Sequence, residues 1–290
     1  MGEEQLSLPL WLPSGAQKIG SSRSTKVLLG VLGPSGVGKS HLLRQLALDP
    51  DYAGRVAILM AEDATATYGS DADLYVVPIR TVMDLGAKVK ELVDATREGK
   101  LQLKAVGVDS ASGIGDYTMQ YMRAHPQYTD KGKVNDYAPY AWLGTGIIEG
   151  LIWLRDHVGC DVIVMATTTR PPKVELCIDG QMTPKNFTRL TSVCLFMTSE
   201  ESRYTVGETT VLPAAHRTIG VNEKGRPDGS FLDRFFTTQD TGEVPAKGHR
   251  NLALRERAIL PDVLRKIHGH PVDTHITTVR EGEPTRGGSE

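Results

Sequence analysis

Cysteine is scarce in this chain: Cys160, Cys177 and Cys194 are the only three in 290 residues. An odd, scattered set with no Cys-x-x-Cys pair excludes a disulfide framework and a cysteine-based zinc site. Such usage suits a reducing, cytoplasmic location. Long apolar runs are missing too. No stretch approaches the roughly 20 residues that a membrane-spanning helix needs, so no membrane association is expected. The N-terminus lacks the basic region and long apolar core of a signal peptide, because Leu6 to Pro13 is short and interrupted by proline. Charge of one sign is not in excess either. A formal net charge of −2 gives no support to a protein that coats nucleic acid along its whole surface. Any DNA or RNA contact has to come from local patches. One is the stretch from Lys247 to Lys266, where Arg250, Arg255, Arg257 and Arg265 outnumber Glu256 and Asp262; a solvated helix face has the same composition. No internal repeat is present.

What the chain does have is concentrated at one place. Gly33, Pro34, Ser35, Gly36, Val37, Gly38, Lys39 and Ser40 match G-x-x-x-x-G-K-[ST] in full. The apolar run Val27 to Leu32 enters this motif as a strand, and His41 to Leu48 leaves it as a helix. Glycines let the backbone turn its N–H groups inward around a phosphate chain, and the helix adds its positive N-terminal end. Lys39 is placed to reach the β- and γ-phosphates, the Ser40 hydroxyl to ligate Mg²⁺, and His41 to extend the cradle. The expected ligands are a nucleoside triphosphate and Mg²⁺.

Residues 26 to about 200 alternate short apolar runs with helical patterns, the pattern of repeated β-α units and a mainly parallel, helix-flanked sheet. The fold class is α/β. Strands are predicted at 26–32, 56–61, 74–77, 104–109, 161–166 and 192–198, and helices at 39–48, 82–97 and 139–157. Residues 1–24 read as a flexible N-terminal segment, 25–200 as the core, 201–270 as a small C-terminal extension with a β-hairpin and a helix after Pro261, and 271–290 as a disordered tail.

A phosphate loop needs a carboxylate on a neighbouring strand to hold the metal's water shell. Ala105-Val-Gly-Val-Asp109 ends a buried strand in an aspartate, as a Walker B element requires. Ser110 follows, where many ATPases carry a water-polarising glutamate, so that role has to come from elsewhere. The strand after the phosphate-loop helix, Ala57 to Ala61, ends in Glu62 and Asp63. It emerges at the carboxyl edge of the sheet, where ligands bind. Glu62 is the general-base candidate and Asp63 the next, unless both are exposed loop acids.

Together, the phosphate loop, the strand ending in Ala61-Glu62 and the sequence Val108-Asp109-Ser110 resemble the RecA-type P-loop ATPase core. More narrowly, they resemble bacteriophage RecA-type ATP-binding proteins associated with single-strand annealing and recombination. The likeness covers about residues 25 to 200 and more loosely 235 to 268. It implies a Mg²⁺-dependent ATP hydrolase of RecA type, working as a homo-oligomeric ring or filament on single-stranded DNA.

The resemblance also implies two DNA-contacting loops, one after the Walker B strand and one after the next strand. Long irregular segments are expected at both places, Gly113 to Pro139 and Thr167 to Arg189. The first offers Arg123, Tyr128, Lys131 and Lys133, and the second Arg170, Lys173, Lys185 and Phe187. Aromatics interleaved with cations suit stacking on bases and pairing with phosphates. Thr167 or Thr168 is placed to sense a γ-phosphate, although RecA uses an amide side chain there.

A cation from the next subunit usually completes such sites. Lys247-Gly-His-Arg250 resembles the Lys-x-Arg element of related proteins, with one residue more between the cations. Leu6 to Leu12 either folds back on its own domain or docks on an adjacent subunit. A different class of function stays open: a nucleotide-dependent assembly factor whose ATP state switches protein contacts without DNA. A small-molecule kinase fits less well, because no arginine-rich lid is apparent.

Overall fold

The structure is a computed structural model, and it describes residues 26–62, 65–125, 137–170, 174–178, 183–203, 216–221, 223, 227–242 and 245–272. The chain runs β1 (Leu28–Gly33), α1 (Lys39–Leu48), β2 (Val56–Met60), α2 (Thr65–Tyr68), β3 (Tyr75–Pro78), α3 (Val82–Arg97), β4 (Ala105–Asp109) and α4 (Ala111–Ala124). It continues with α5 (Tyr137–His157), β5 (Asp161–Thr167), α6 (Thr183–Leu190), β6 (Val193–Arg203), β7 (Arg217–Val221), β8 (Pro227–Thr237), β9 (Arg255–Arg257) and α7 (Leu260–Ile267). All six strands and three helices expected in the core are present, with ends shifted by a few residues.

The sheet order is β3-β2-β4-β5-β1-β6-β8-β7, with β9 paired to β8. β1 to β6 pair in parallel, and β7, β8 and β9 join antiparallel. The runs in β1, β2, β4 and β5 are apolar almost throughout because both faces of a parallel sheet are covered. Alternation then sorts the side chains. Leu28 and Leu32 meet α3, α4, α5 and α6 on one face, whereas Leu29 and Val31 meet α1 and α7 on the other. β6 serves two roles: its first part pairs with β1, and Phe196 to Arg203 pairs with β8.

Local signals set the helix starts. Thr81 caps α3 by accepting from the Asp84 N–H, while the Asp84 carboxylate accepts from the Thr81 N–H, a reciprocal cap that explains the start at 82. In α5, Gly146 and Gly150 face α3. A β-carbon at Gly146 would lie 2.5 Å from Val82 Cγ2, so glycine is what lets the two helices approach.

The expectation of an irregular segment from Gly113 is corrected: α4 occupies Ala111–Ala124. Gly113 and Gly115 weigh against a helix by propensity. Tertiary burial outweighs them, since Ala111, Ile114, Met119 and Met122 are buried and the Ser110 side chain caps the helix by accepting from the Gly113 N–H. The second expected irregular segment likewise contains α6 and a bridge between Thr168 and Leu176. Among the described residues, no helix is long and apolar enough to cross a membrane. The expected N-terminal segment, most of the C-terminal tail and Asp63 lie outside the described residues.

Candidate nucleotide site

The loop between β1 and α1 sits at the carboxyl edge of the sheet, where β1 lies between β5 and β6. The chain leaves β1 toward β2 on one side, and the α6 crossover brings β6 in on the other. This is the switch point at which open α/β sheets bind ligands. Gly33 ends β1, Pro34 to Val37 form the turn, and Gly38 with φ 102° is the N-cap of α1. That left-handed conformation suits glycine. It aims the first turn of α1, with Lys39, Ser40 and His41, back over the loop.

Lys39 is buried, and its Nζ donates to the carbonyls of Gly33 (2.8 Å) and Pro34 (3.0 Å). Burial lowers its pKa, and the nearby carboxylates of Glu62 and Asp109 oppose that shift. Asp109 ends β4 and is 3 % exposed. Burial raises its pKa; hydrogen bonds from Tyr68 and Ser40 pull the other way. The Tyr68 hydroxyl donates to Asp109 Oδ2 at 2.6 Å, from a side chain only 2 % exposed. The Ser40 hydroxyl lies within hydrogen-bond reach of both Asp109 and Tyr68. The two residues expected to hold Mg²⁺ are thus already in contact.

Glu62 follows β2, whose register pairs Met60 with Asp109. The backbone N–H of Ala61 donates to the Asp109 carbonyl at 2.7 Å. The Ser110 hydroxyl donates to Glu62 Oε1 and accepts from the Gly113 N–H. One serine therefore fixes both the start of α4 and the carboxylate beside the site. The peptide bond joining Asp109 to Ser110 is cis.

Thr168 closes the site behind the loop, its N–H donating to the Gly33 carbonyl at 3.1 Å. Its hydroxyl is buried and has no partner among the described residues. Among the described residues there is no cluster of three or more His, Cys, Asp and Glu side chains suited to a metal. One hydroxyl and one carboxylate is instead the partial oxygen set that Mg²⁺ uses when phosphates complete its shell.

The other predicted residues are dispersed. Arg123, in the last turn of α4, and Arg170, after β5, are exposed. Tyr128, Lys131, Lys133 and Lys173 lie outside the described residues, and Lys185 lies in α6. Phe187 is corrected: its ring is fully buried against Gly30 of β1, so it offers no face to a base. Lys247 pairs through its backbone with Cys194, and its Nζ donates to the Thr191 carbonyl at 2.7 Å. Lys247 is nonetheless exposed. Arg250 is exposed, and its neighbour Asn251 donates to Lys266 in the last turn of α7. The residue after that helix, His268, contacts Asp161 at the start of β5, so Arg250 sits toward the edge opposite its own phosphate loop.

Sequence reasoning missed Tyr68 and Arg234. Tyr68 carries no local signal beyond its place shortly after Glu62. Arg234 is on β8, and its Nε donates to the Val37 carbonyl at 2.9 Å. No known protein-family model matches this chain, and no curated protein matches it.

Proposed function

We propose that this chain is a Mg²⁺-dependent ATPase of the RecA type that works as a homo-oligomer on single-stranded DNA. The observation that carries the reading is the convergence of Lys39, Ser40, Asp109 and Glu62 at one end of the sheet, around a glycine-rich loop and a helix N-terminus. The inward N–H groups of the loop and the N-terminal end of α1 bind the phosphates. Lys39 exchanges its bonds to the loop carbonyls for phosphate oxygens, and its charge stabilises the negative charge that develops there. Ser40 and Asp109 are the residues that would hold Mg²⁺, which supplies charge neutralisation to the phosphates. Glu62, oriented by Ser110, aligns a water for in-line attack and accepts its proton. The unpartnered Thr168 hydroxyl beside Gly33 supports a polar ligand at this place.

The RecA-type core, the single-stranded DNA partner and the bacteriophage context come from the resemblance of the motifs. Exposed Arg123 and Arg170 on the segments after β4 and β5 support the DNA contact. The second reading, an assembly factor whose nucleotide state switches protein contacts, is favoured by the net charge of −2 and by the burial of Phe187. One experiment separates the two: ATP turnover with and without single-stranded oligonucleotide. Turnover that rises with the oligonucleotide and disappears in Lys39→Ala supports the ATPase on DNA. Turnover indifferent to DNA favours the assembly factor, and no turnover in any assembled state defeats the ATPase reading.

A further inference from the structure

Arg234 reaches the phosphate loop from the far side, out of the extension. It lies mid-strand in β8, where its N–H donates to the His216 carbonyl at 2.9 Å. Its guanidinium joins two elements. Nε donates to the Val37 carbonyl at 2.9 Å, and Nη1 donates to Thr218 Oγ1 of β7 at 2.7 Å. A β-carbon at Gly38 would sit 2.8 Å from Nε, so the same glycine that turns the loop also leaves the opening through which the arginine arrives.

A trans peptide is planar, and its C=O points opposite to the N–H of the following residue. Holding the Val37 carbonyl outward therefore holds the Gly38 N–H inward, toward the side that the phosphates would occupy. Without the arginine that peptide is free to rotate, because glycine tolerates either orientation. The adjacent Asp233 does not neutralise the clamp. It is held by Arg217 through bonds of 2.7 and 3.1 Å, and its charge acts on Arg234 at a distance, partly offsetting the effect of burial. Burial lowers the Arg234 pKa, but a guanidinium stays charged. A positive charge thus lies one peptide away from the cradle.

We propose that Arg234 is a positioning residue of the nucleotide site, orienting the Val37–Gly38 peptide and tying the phosphate loop to the β7–β8 hairpin. The inference rests on the nucleotide-binding reading and deepens it. Because the cradle contacts the phosphates before and during the reaction alike, the effect falls on affinity and KM more than on kcat.

The test uses the full chain, a fluorescent ATP analogue and Mg²⁺, with Arg234→Met and Arg234→Lys. Loss of a hydrogen bond from a charged donor predicts affinity weakened by about tenfold or more in Arg234→Met, with KM rising in step and kcat within about threefold. Arg234→Lys, whose single ammonium cannot serve Val37 and Thr218 as a planar fork does, falls between the two. Nucleotide-free melting of each variant separates positioning from general unfolding. If Arg234→Met does not fold, Arg234→Lys decides. A folded variant with wild-type affinity and KM overturns the clamp while leaving the ATPase reading intact. Failure of the wild-type chain to bind the analogue overturns both.

Discussion

Replacing Tyr68 with phenylalanine tests the heart of the site with a single atom. The ring still fills its buried position, but Asp109 Oδ2 loses the hydroxyl that donates to it at 2.6 Å. Hydrogen bonds to charged groups contribute about 1.5–3 kcal/mol. At about 2–4 °C per kcal/mol for a chain of this order of size, melting should fall by roughly 3–12 °C near neutral pH. The pH dependence is the sharper signature. Tyr68 stabilises the Asp109 carboxylate, so its removal raises an Asp109 pKa that burial already holds above its ordinary value. The gap between wild type and Tyr68→Phe is then full where Asp109 is ionised in both folded proteins. It shrinks as pH falls through these raised values, where the carboxyl is protonated in both. Melting curves across pH without nucleotide, repeated in an Asp109→Asn background, measure this. In that background the effect of Tyr68→Phe should shrink to that of an uncharged hydrogen bond. A gap that widens on acidification, or one of equal size in the Asp109→Asn background, would refute the reasoning.

The remaining expectations are simpler. Glu62→Gln keeps the length of the side chain and its contact with Ser110 but removes the base, so turnover should fall by about 10²–10⁴ while Mg²⁺–ATP affinity holds; single-turnover hydrolysis alongside equilibrium binding checks both halves. Cys177 is the exposed thiol, whereas Cys160 and Cys194 are buried and each pushed up to about 12. One equivalent of maleimide should therefore react with the folded chain, and Mg²⁺–ATP should slow it, because Cys177 lies within electrostatic reach of Lys39. Mass spectrometry of the labelled chain counts the adducts, and two or three fast adducts in the folded chain would contradict the burial.

The core was legible because its strands are buried on both faces and read as apolar runs, and because the phosphate loop has few alternative geometries. Asp109 and Glu62 followed from ending their strands at the same edge. α4 was not legible: its two glycines mimic a loop, and the contacts that hold it are made with α5 and β5, which come later in the chain. Phe187 was misread for a related reason, since an aromatic between Lys185 and Arg189 has the composition of a nucleic-acid loop yet packs on Gly30. Arg234 was out of reach, because its contact with Val37 spans 197 positions and neither end carries a local pattern that implies the other.

β6 sets a boundary for anyone seeking a minimal fragment. Its eleven residues are shared, the first part with β1 and the rest, from Phe196 onward, with β8. A chain cut soon after Arg203 would keep every motif residue of the site, yet would strip β8 from that strand and expose a long row of unpaired backbone groups. Such an edge recruits other strands. The shortened protein should collect in aggregates rather than behave as an independent catalytic unit, and expression trials should keep the chain through α7.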